Sequence, residues 1–209
     1  MSEIMHLETL SWPAELCATE SKILQRLAWQ HVVLGAREND KLIGMAGWRY
    51  ASFQPNKNFP TNFDLFANLP NDHNHNAAFA YNFAIAPTLR KSRLGSEVAT
   101  GLIMEGIKIL LQNKCRFLVG ASRCPTYAGN NDGYKENLNI KNPDIYSAID
   151  HCITSQLSPI DDTLPWQSDP ILSFYKQALD CVFLKVLPGF MPEDIASGGH
   201  AIAFYKLLE

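Results

Sequence analysis

Apolar positions in the first fifty residues follow the spacing of a helix in one segment and form strand-like runs in two others. Apolar residues at helical spacing follow Thr19, which predicts a helix that begins there. Apolar runs at 31–37 and 41–50 flank a short polar turn and predict a β-hairpin. Residues 5–17 are expected to form a short strand and an irregular entry, because Pro13 bars a regular helix through it.

A long polar stretch separates this hairpin from the next elements. Residues 52–77 are rich in Asn, Pro, Asp and His and have no apolar period, which predicts a long loop with one helical turn near 65–67. Residues 78–86 then predict a strand, and 95–112 predict a long helix. The apolar stripe of that helix contains Ala99, Ile103, Ile107 and Leu110.

The last part of the chain predicts further strands and helices around a second long excursion. The excursion covers 126–168, with a helix expected at about 143–156. The other elements are a strand at 116–120, a helix at 170–179 and strands at 182–187 and 201–207. This mixture predicts an α/β protein with a mixed sheet of the α+β kind, and one domain over 1–209 with insertions at about 52–77 and 126–168.

Composition narrows the class of protein. Hydrophobic residues make up 46% and charged residues 19% of the 209 positions, as in soluble globular proteins. A net charge of −3 argues against a broad nucleic-acid surface. Five widely spaced cysteines favour reduced thiols, and no apolar run is long enough to cross a membrane. We therefore expect a cytoplasmic protein without nucleic-acid or membrane partners; the oligomeric state stays open, a homodimer included.

The connection between the strand at 78–86 and the long helix has the composition of an anion site. Arg90, Lys91 and Arg93 are cationic, and a Gly95-Ser96 step leads into the helix. The first N–H groups of a helix have no partner inside it, and the helix dipole is positive there. The loop therefore predicts a phosphate or pyrophosphate site. It matches neither the dinucleotide pattern GxGxxG nor the triphosphate pattern GxxxxGK[ST].

The sequence from Ala84 to Ser96 resembles the acetyl-CoA loop of the GNAT superfamily of N-acetyltransferases, in which R/Q-x-x-G-x-G/A follows a strand ending in Val-x-Pro. Arg90 takes the first position of this pattern and Gly95 its second glycine, while Arg93 stands at the first glycine. The order of predicted elements is also that of the family, and Phe174-Tyr175 is similar to its Phe-Tyr helix. The resemblance covers most of the chain outside the two insertions. A narrower one, from the segments 122–127, 169–174 and 186–199, is to GNAT domains sometimes fused to carbon–nitrogen hydrolases.

The resemblance implies a function and roles for single residues. It implies an acetyl-CoA-dependent acyltransferase that acetylates a primary amine of a small molecule or peptide by direct attack of the amine on the thioester. Tyr175 would protonate the leaving thiolate, and the backbone of Phe83, Ala84 and Ile85 would bind pantetheine and polarise the thioester carbonyl. The pyrophosphate would lie on the loop residues Arg90, Lys91, Ser92, Arg93, Leu94, Gly95 and Ser96.

The general base is left open by the sequence. Many relatives place a carboxylate where this chain has Phe79, so the alternatives are Ser122 acting through water and loss of the proton to solvent. A nucleophilic role for Cys124 is a further alternative.

The remaining interpretations concern a histidine-containing loop, the walls of an acceptor pocket and the class of function. The sequence Asp72-His73-Asn74-His75 is interpreted as a solvated loop, so no metal is expected. Aromatic walls for an acceptor pocket are expected from Trp48, Tyr127, Tyr134 and Trp166. The alternative to an enzyme is a GNAT-like module that binds acyl-CoA or a protein partner without turnover.

Overall fold

The structure, a computed structural model, describes residues 1–55, 57, 59–125 and 169–208. The predicted helix at 143–156 and the aromatic residues Tyr127, Tyr134 and Trp166 lie outside the described residues. The α-helices of the described part are α1 (Ser2–Ser11), α2 (Glu20–Ala28), α3 (Phe63–Ala67), α4 (Arg93–Gln112) and α5 (Pro170–Leu179). Its strands are β1 (Val32–Glu38), β2 (Lys41–Ala51), β3 (Ala77–Ile85), β4 (Phe117–Ser122), β5 (Val182–Leu187) and β6 (Ala201–Leu207).

The strands form a mixed sheet in the order β1-β2-β3-β4-β6-β5, so the predicted fold class is confirmed. The chain divides into two compact units. The first contains Met1–Gln54, Asp64–Leu118 and the residues from Leu207 onward; the second contains the described residues of Pro55–Phe63 and Val119–Lys206. The boundary falls inside β4, which gives residues to both units.

In the first unit, local chemistry explains why each element begins and ends where it does. The Thr19 hydroxyl accepts a hydrogen bond from the N–H of Lys22 and caps α2, as the sequence predicts. Asn39 and Asp40 both have positive φ and join β1 to β2 by a tight turn of the type that suits antiparallel strands. The predicted hairpin is therefore confirmed.

The prediction of a strand near residue 5 is wrong. Residues Ser2–Ser11 form α1, whose C-cap residue Trp12 is extended and directly precedes Pro13. The proline therefore follows the helix instead of interrupting it, which is a favourable place for a residue that cannot continue one. Leu7 of α1 packs in a buried cluster with Met45 of β2 and Ala84 of β3.

Helix α4 covers the predicted span, but its buried face is rotated slightly from the apolar stripe predicted from the sequence. Its buried residues are Gly95, Ala99, Leu102, Gly106 and Leu110, whereas Ile103 and Ile107 are only half-buried. Gly106 brings the helix close to Trp48, which is buried in the core of this unit. Trp48 is thus buried against α4, and its expected place in a wall of the acceptor pocket stays a prediction.

In the second unit, a close packing contact connects three elements. A Cβ atom on Gly120 of β4 would lie 2.1 Å from the ring of Phe204 on β6, so a larger residue here would force this buried ring to move. The ring of Tyr175 on α5 lies 4.8 Å from the Phe204 ring, centroid to centroid. Asp169 caps α5 through bonds from the N–H groups of Ile171 and Leu172, at 2.8 and 3.1 Å.

Candidate functional site

The start of α4 lies directly on the loop that follows β3. A short 3-10 turn, Pro87–Leu89, leads to Ser92, whose hydroxyl accepts a hydrogen bond of 3.0 Å from the N–H of Gly95. A Cβ atom at Gly95 would lie 1.9 Å from the carbonyl oxygen of Leu89, which is backbone and has no freedom to swing away. Glycine at position 95 is therefore required for the helix to begin here.

Three backbone N–H groups stay open at this helix start. Among the described residues, the amides of Lys91, Arg93 and Leu94 find no hydrogen-bond acceptor. The amides of Ser92, Gly95 and Ser96 instead bond within the loop, to Leu89 O, Ser92 Oγ and Ser92 O. Of the amides that the family resemblance assigns to the pyrophosphate, these three are the ones free to donate hydrogen bonds to it.

The two arginines of the loop already have partners. Arg90 donates from Nε to Ile85 O (3.1 Å) and from Nη2 to Ser11 O (2.7 Å), so it ties the loop to the end of β3 and to the last residue of α1. Arg93 forms an ion pair with Glu97 at 2.8 Å, and its side chain is 93% exposed. Arg93 therefore points along the helix surface and leaves the loop open, although it stands where the family pattern has glycine. Lys91 is exposed, and among the described residues it has no ion-pair partner.

Strand β3 has an irregularity just before the residues assigned to pantetheine. Gly47 pairs with Asn82 and Trp48 with Ala80, so Tyr81 is an extra residue that has no partner on β2. Such a β-bulge bends and twists a strand. Beyond it Phe83, Ala84 and Ile85 pair regularly with β2.

A pocket of about 30 Å³ lies beside this bulge. Cavities of about 10–15 Å³ hold one water, so this pocket accommodates a group the size of one or two waters. Its apolar lining comes from α1, α2 and the first two strands. The polar residues in its wall are Glu8, Arg26, Tyr81 and Asn82.

Glu8 is a buried carboxylate held by two donors. Oε1 accepts from the N–H of Ala18 at 2.9 Å, and Oε2 accepts from Nδ2 of Asn82 at 2.8 Å. The side chain thus connects α1 to the entry of α2 and to β3. A carboxylate has about four acceptor sites, so lone pairs stay available after these two bonds.

Arg26 is buried with most of its donors unused. The residue is 5% exposed, and its guanidinium carbon lies 4.4 Å from the centre of the Tyr81 ring. Nε donates to Asn68 Oδ1 at 2.8 Å. Among the described residues, its terminal nitrogens make no hydrogen bond and Arg26 forms no ion pair. Burial lowers the pKa of Arg26, as expected for a cation withdrawn from water.

Three further buried polar atoms lie around the bulge without a partner in the described residues: Tyr81 Oη, Asn82 Oδ1 and His31 Nδ1. Burial raises the pKa of Tyr81 to about 12, so its phenol is neutral at physiological pH. Burial also lowers the pKa of His31 to about 4. The other ring nitrogen of His31 lies 2.8 Å from Leu69 O, and because a carbonyl only accepts, Nε2 carries the proton.

Sequence reasoning did not single out Glu8 and Arg26. Glu8 could not be placed near β3, because residues 5–17 are expected from the sequence to form a short strand and an irregular entry instead of a helix. Arg26 lies in an amphipathic helix, where a charged side chain is normally solvated. Its burial depends on Asn68, which comes from the Asn-rich loop 42 residues away, so no local pattern could have indicated it.

The second unit contains the two predicted catalytic residues. Tyr175 packs between Phe174 and Phe204, and burial, with a smaller effect of Cys181, raises its pKa to about 12. Ser122 is buried, and its hydroxyl donates to Arg123 O at 2.9 Å.

The residues that carry the narrower family resemblance form a polar cluster in this unit. Arg123 makes a two-pronged ion pair with the buried Asp194, at 2.7 and 2.6 Å. Cys124 is buried beside Ser197 and Asp169, and its Sγ lies 3.4 Å from Asp169 Oδ2. These contacts give the residues of this cluster a structural role, because they join the end of β4 to the start of α5 and to the loop before β6.

The Asp-His-Asn-His segment is held by backbone contacts. His75 lies between Asp72 O (3.0 Å) and Asn113 O (3.2 Å) and stacks on Tyr50. Within residues 1–55, 57, 59–125 and 169–208, no three His, Cys, Asp or Glu side chains are grouped so that they could hold a metal ion. In the same part of the chain, no helix combines the length and the apolar character needed to cross a bilayer.

Comparison with known proteins gives a clear result for the fold. No family model matches the sequence, and no curated protein is similar to it. Solved structures do match. The GphF GNAT-like decarboxylase in complex with isobutyryl-CoA is 18% identical, with a TM-score of 0.71 over 100% of this chain and 94% of the other.

Two further structures give the range of the fold. The loading GNATL domain of CurA from Lyngbya majuscula has a TM-score of 0.68 at 19% identity, over 99% of this chain and 92% of that domain. The aminoglycoside 6'-N-acetyltransferase from Enterococcus faecium has a TM-score of 0.54 at 14% identity, over 100% of this chain and 90% of the acetyltransferase. The resemblance drawn from the loop and the order of elements is thereby confirmed at the level of the fold: this chain has the fold of the GNAT superfamily.

Proposed function

We propose that this chain transfers an acetyl group from acetyl-CoA to a primary amine of a small molecule or peptide. The amine nitrogen attacks the thioester carbonyl carbon, a C–N bond forms, and the C–S bond breaks with CoA leaving as a thiolate. One proton goes to that thiolate and one leaves the amine, so the reaction needs no metal and no redox partner.

The observation that carries the proposal is the open helix start. The close approach at Gly95 sets the first turn of α4 against the loop, and the amides of Lys91, Arg93 and Leu94 are left without acceptors in the described residues. A diphosphate suits such a set of donors, and the helix dipole adds to the attraction. The family resemblance supplies the identity of the diphosphate as that of CoA.

The remaining roles follow from the resemblance and from the chemistry of each group. The backbone of Phe83, Ala84 and Ile85 holds pantetheine. Tyr175 donates the proton to the thiolate, for which a phenol that stays protonated at neutral pH is suitable. Ser122 orients a water through its lone pairs, since its own proton is already donated to Arg123 O.

Glu8 is the base that we add to this scheme. It is a carboxylate beside the bulge of β3, and Asn82 holds one of its oxygens in place. It would take the proton of the amine directly. With Glu8, the general base that sequence reasoning left open has a candidate.

The test is release of free CoA thiol from acetyl-CoA with small amines, amino acids and peptide N-termini as acceptors. We expect release that depends on one class of amine, and an N-acetylated product by mass spectrometry. Glu8→Gln keeps the size of the side chain and removes the proposed base, so it should lower the rate of CoA release. CoA binding without turnover on any amine would instead favour the alternative, an acyl-CoA-binding or protein-interaction module.

A second candidate function is favoured by the structural comparison. The decarboxylase and the loading domain have TM-scores of 0.71 and 0.68, against 0.54 for the aminoglycoside acetyltransferase. A decarboxylase of this fold would break the bond between the carboxylate and the α-carbon of a carboxylated acyl-CoA, release CO2 and deliver one proton to that carbon. Incubation with malonyl-CoA, followed by mass spectrometry for acetyl-CoA, separates this activity from amine acetylation.

A further inference from the structure

We infer that the pocket beside the bulge of β3 binds a carboxylate group of a substrate. The group would accept hydrogen bonds from the Arg26 guanidinium and from the Tyr81 hydroxyl. This inference rests on the proposed function and gives its substrate a chemical class.

The first support is the burial of Arg26. A charged group that is 5% exposed is costly to keep unless an opposite charge or several acceptors compensate for its lost water. In the described part of the chain only Nε has an acceptor, Asn68 Oδ1; the charges of Glu8 and Asp64 favour the cation but form no ion pair with it. The planar guanidinium, with its remaining N–H groups, fits a carboxylate in a two-pronged manner.

Asn68 makes this arrangement specific. By accepting from Nε, it fixes the plane of the guanidinium, and the ring of Tyr81 supports that plane from one side at 4.4 Å. The guanidinium of Arg26, a residue of the pocket lining, is therefore held in one orientation before any ligand arrives.

The second support is Tyr81, another residue of the pocket lining, whose hydroxyl has no partner in the described part of the chain. Tyr81 is 8% exposed and its oxygen is buried without a partner among the described residues. A buried hydroxyl left without a hydrogen bond costs free energy, and a ligand oxygen would remove that cost. The pocket volume of about 30 Å³ is of the order needed for a small polar group such as a carboxylate.

Asn82 adds an acceptor to these donors. Its Nδ2 donates to Glu8, which leaves Oδ1 buried and without a donor in the described residues. A ligand with an N–H group near its carboxylate would satisfy both kinds of atom. An amino acid acceptor has this composition; a carboxylated acyl chain on CoA offers the carboxylate alone. Both sources share the carboxylate, and the experiment separates them.

The experiment compares ligands that differ only by the carboxylate. One arm measures the affinity of malonyl-CoA against acetyl-CoA by calorimetry. The other arm measures, on the CoA-loaded protein, a panel of amino acids against their amides. We expect the carboxylate form to bind at least tenfold more tightly in one of the arms, because charge-assisted bonds to a buried arginine are strong. The arm that shows the preference identifies whether the carboxylate belongs to the acyl chain on CoA or to an amino acid acceptor.

The variants are Arg26→Met and Tyr81→Phe, with Arg37→Met as the matched control. Arg37 is an exposed arginine of the first unit that pairs with Glu3, away from the pocket lining. Both pocket variants should reduce the preference for the carboxylate at least fivefold, and the control should keep it. Tyr81→Phe retains the ring and removes only the unpaired hydroxyl, so it should fold even if Arg26→Met does not.

The inference is overturned if neither arm shows a preference, or if the preference survives in Tyr81→Phe together with any folded Arg26 variant. A separate titration with CoA alone measures CoA binding, which tests the proposed function independently of the carboxylate preference. Normal CoA binding without carboxylate preference rejects this inference only, whereas absence of CoA binding rejects the proposed function.

Discussion

At the scale of single residues, burial determines the protonation of His31. The folded chain keeps this side chain neutral down to about pH 4, whereas in the unfolded chain it is protonated below its ordinary value of 6.5. Between these values the unfolded state binds more protons, so stability falls as the pH is lowered from 6.5 to 4. The difference corresponds to at most about 3 kcal/mol.

His31→Gln should remove that dependence while its amide still donates to Leu69 O. Urea unfolding at pH 7 and pH 4.5 measures the effect: the parent should lose more free energy of unfolding than the variant between the two values. His73→Gln, which removes an exposed loop histidine, serves as the control and should behave like the parent. Equal losses in the parent and in His31→Gln would contradict the buried neutral state.

Tyr175→Phe tests the proposed proton donor. The ring stays in contact with Phe204, so the fold should survive, but delivery of a proton to the thiolate should fail. General acid catalysis contributes about 10²–10⁴-fold, and we expect kcat to fall by at least about a hundredfold with little change in acetyl-CoA affinity.

Steady-state kinetics and melting curves check this, with Tyr50→Phe as a control for loss of a tyrosine hydroxyl elsewhere. A fall of less than tenfold would mean that water protonates the thiolate. A large loss in melting temperature would mean that Tyr175 is structural.

Residue roles were predictable where they depend on a local motif. Gly95 could be found because the family pattern and the helix start both require it, and the structure adds the reason, the carbonyl of Leu89. Arg26 and Glu8 were not predictable, because their surroundings come from distant segments: Asn68 for one and Asn82 for the other.

At the scale of elements, helix α4 contains a matched pair of glycines. Gly95 leaves no room for a Cβ, while a Cβ on Gly101 meets nothing within 4 Å. We predict that Gly95→Ala forces the helix start away from Leu89, lowers stability and weakens CoA binding at least tenfold. Gly101→Ala should instead raise stability by about 0.5–1 kcal/mol, as alanine does in a helix interior, and leave CoA binding unchanged.

Calorimetry with CoA and chemical unfolding of both variants measure the contrast. Wild-type affinity in a folded Gly95→Ala would show that the loop geometry does not hold the phosphate.

Elements with strong periodic patterns were predicted well. The hairpin, α4, α5 and the last two strands all appear within a few residues of their predicted bounds. Helix α1 was assigned wrongly because its apolar periodicity is weak and Pro13 was read as an interruption. Its position comes from tertiary contacts, among them the bond between Glu8 and Asn82 and the packing of Leu7.

At the scale of the whole molecule, the proposed ligand should stabilise the folded chain. A ligand that binds only the native state adds about 2.7 kcal/mol at a hundredfold excess over its Kd. For a chain of this size that corresponds to a rise in melting temperature of about 5–10 °C. Thermal denaturation with acetyl-CoA measures it, and acetyl-pantetheine, which lacks the pyrophosphate, should give a much smaller rise. No shift with millimolar acetyl-CoA would contradict the proposal.

The fold as a whole was predictable from element order, whereas the division into two compact units was not. The boundary passes through the short strand β4, and no change in composition marks it. Residues 55–63 belong to the second unit although both chain neighbours of that segment belong to the first.

The partners of Arg90 and Arg93 also determine how the loop should respond to ionic strength. The guanidinium of Arg90 is held by two carbonyls and that of Arg93 lies beside Glu97 on the exposed helix surface, so in the described part of the chain Lys91 is the loop cation without a partner. Salt screens exposed charges over about 10 Å at 0.1 M but has little effect on amide dipoles in direct contact with an anion. A loop of this kind should therefore keep most of its affinity for a diphosphate in concentrated salt, where a loop that relied on free arginines would release it.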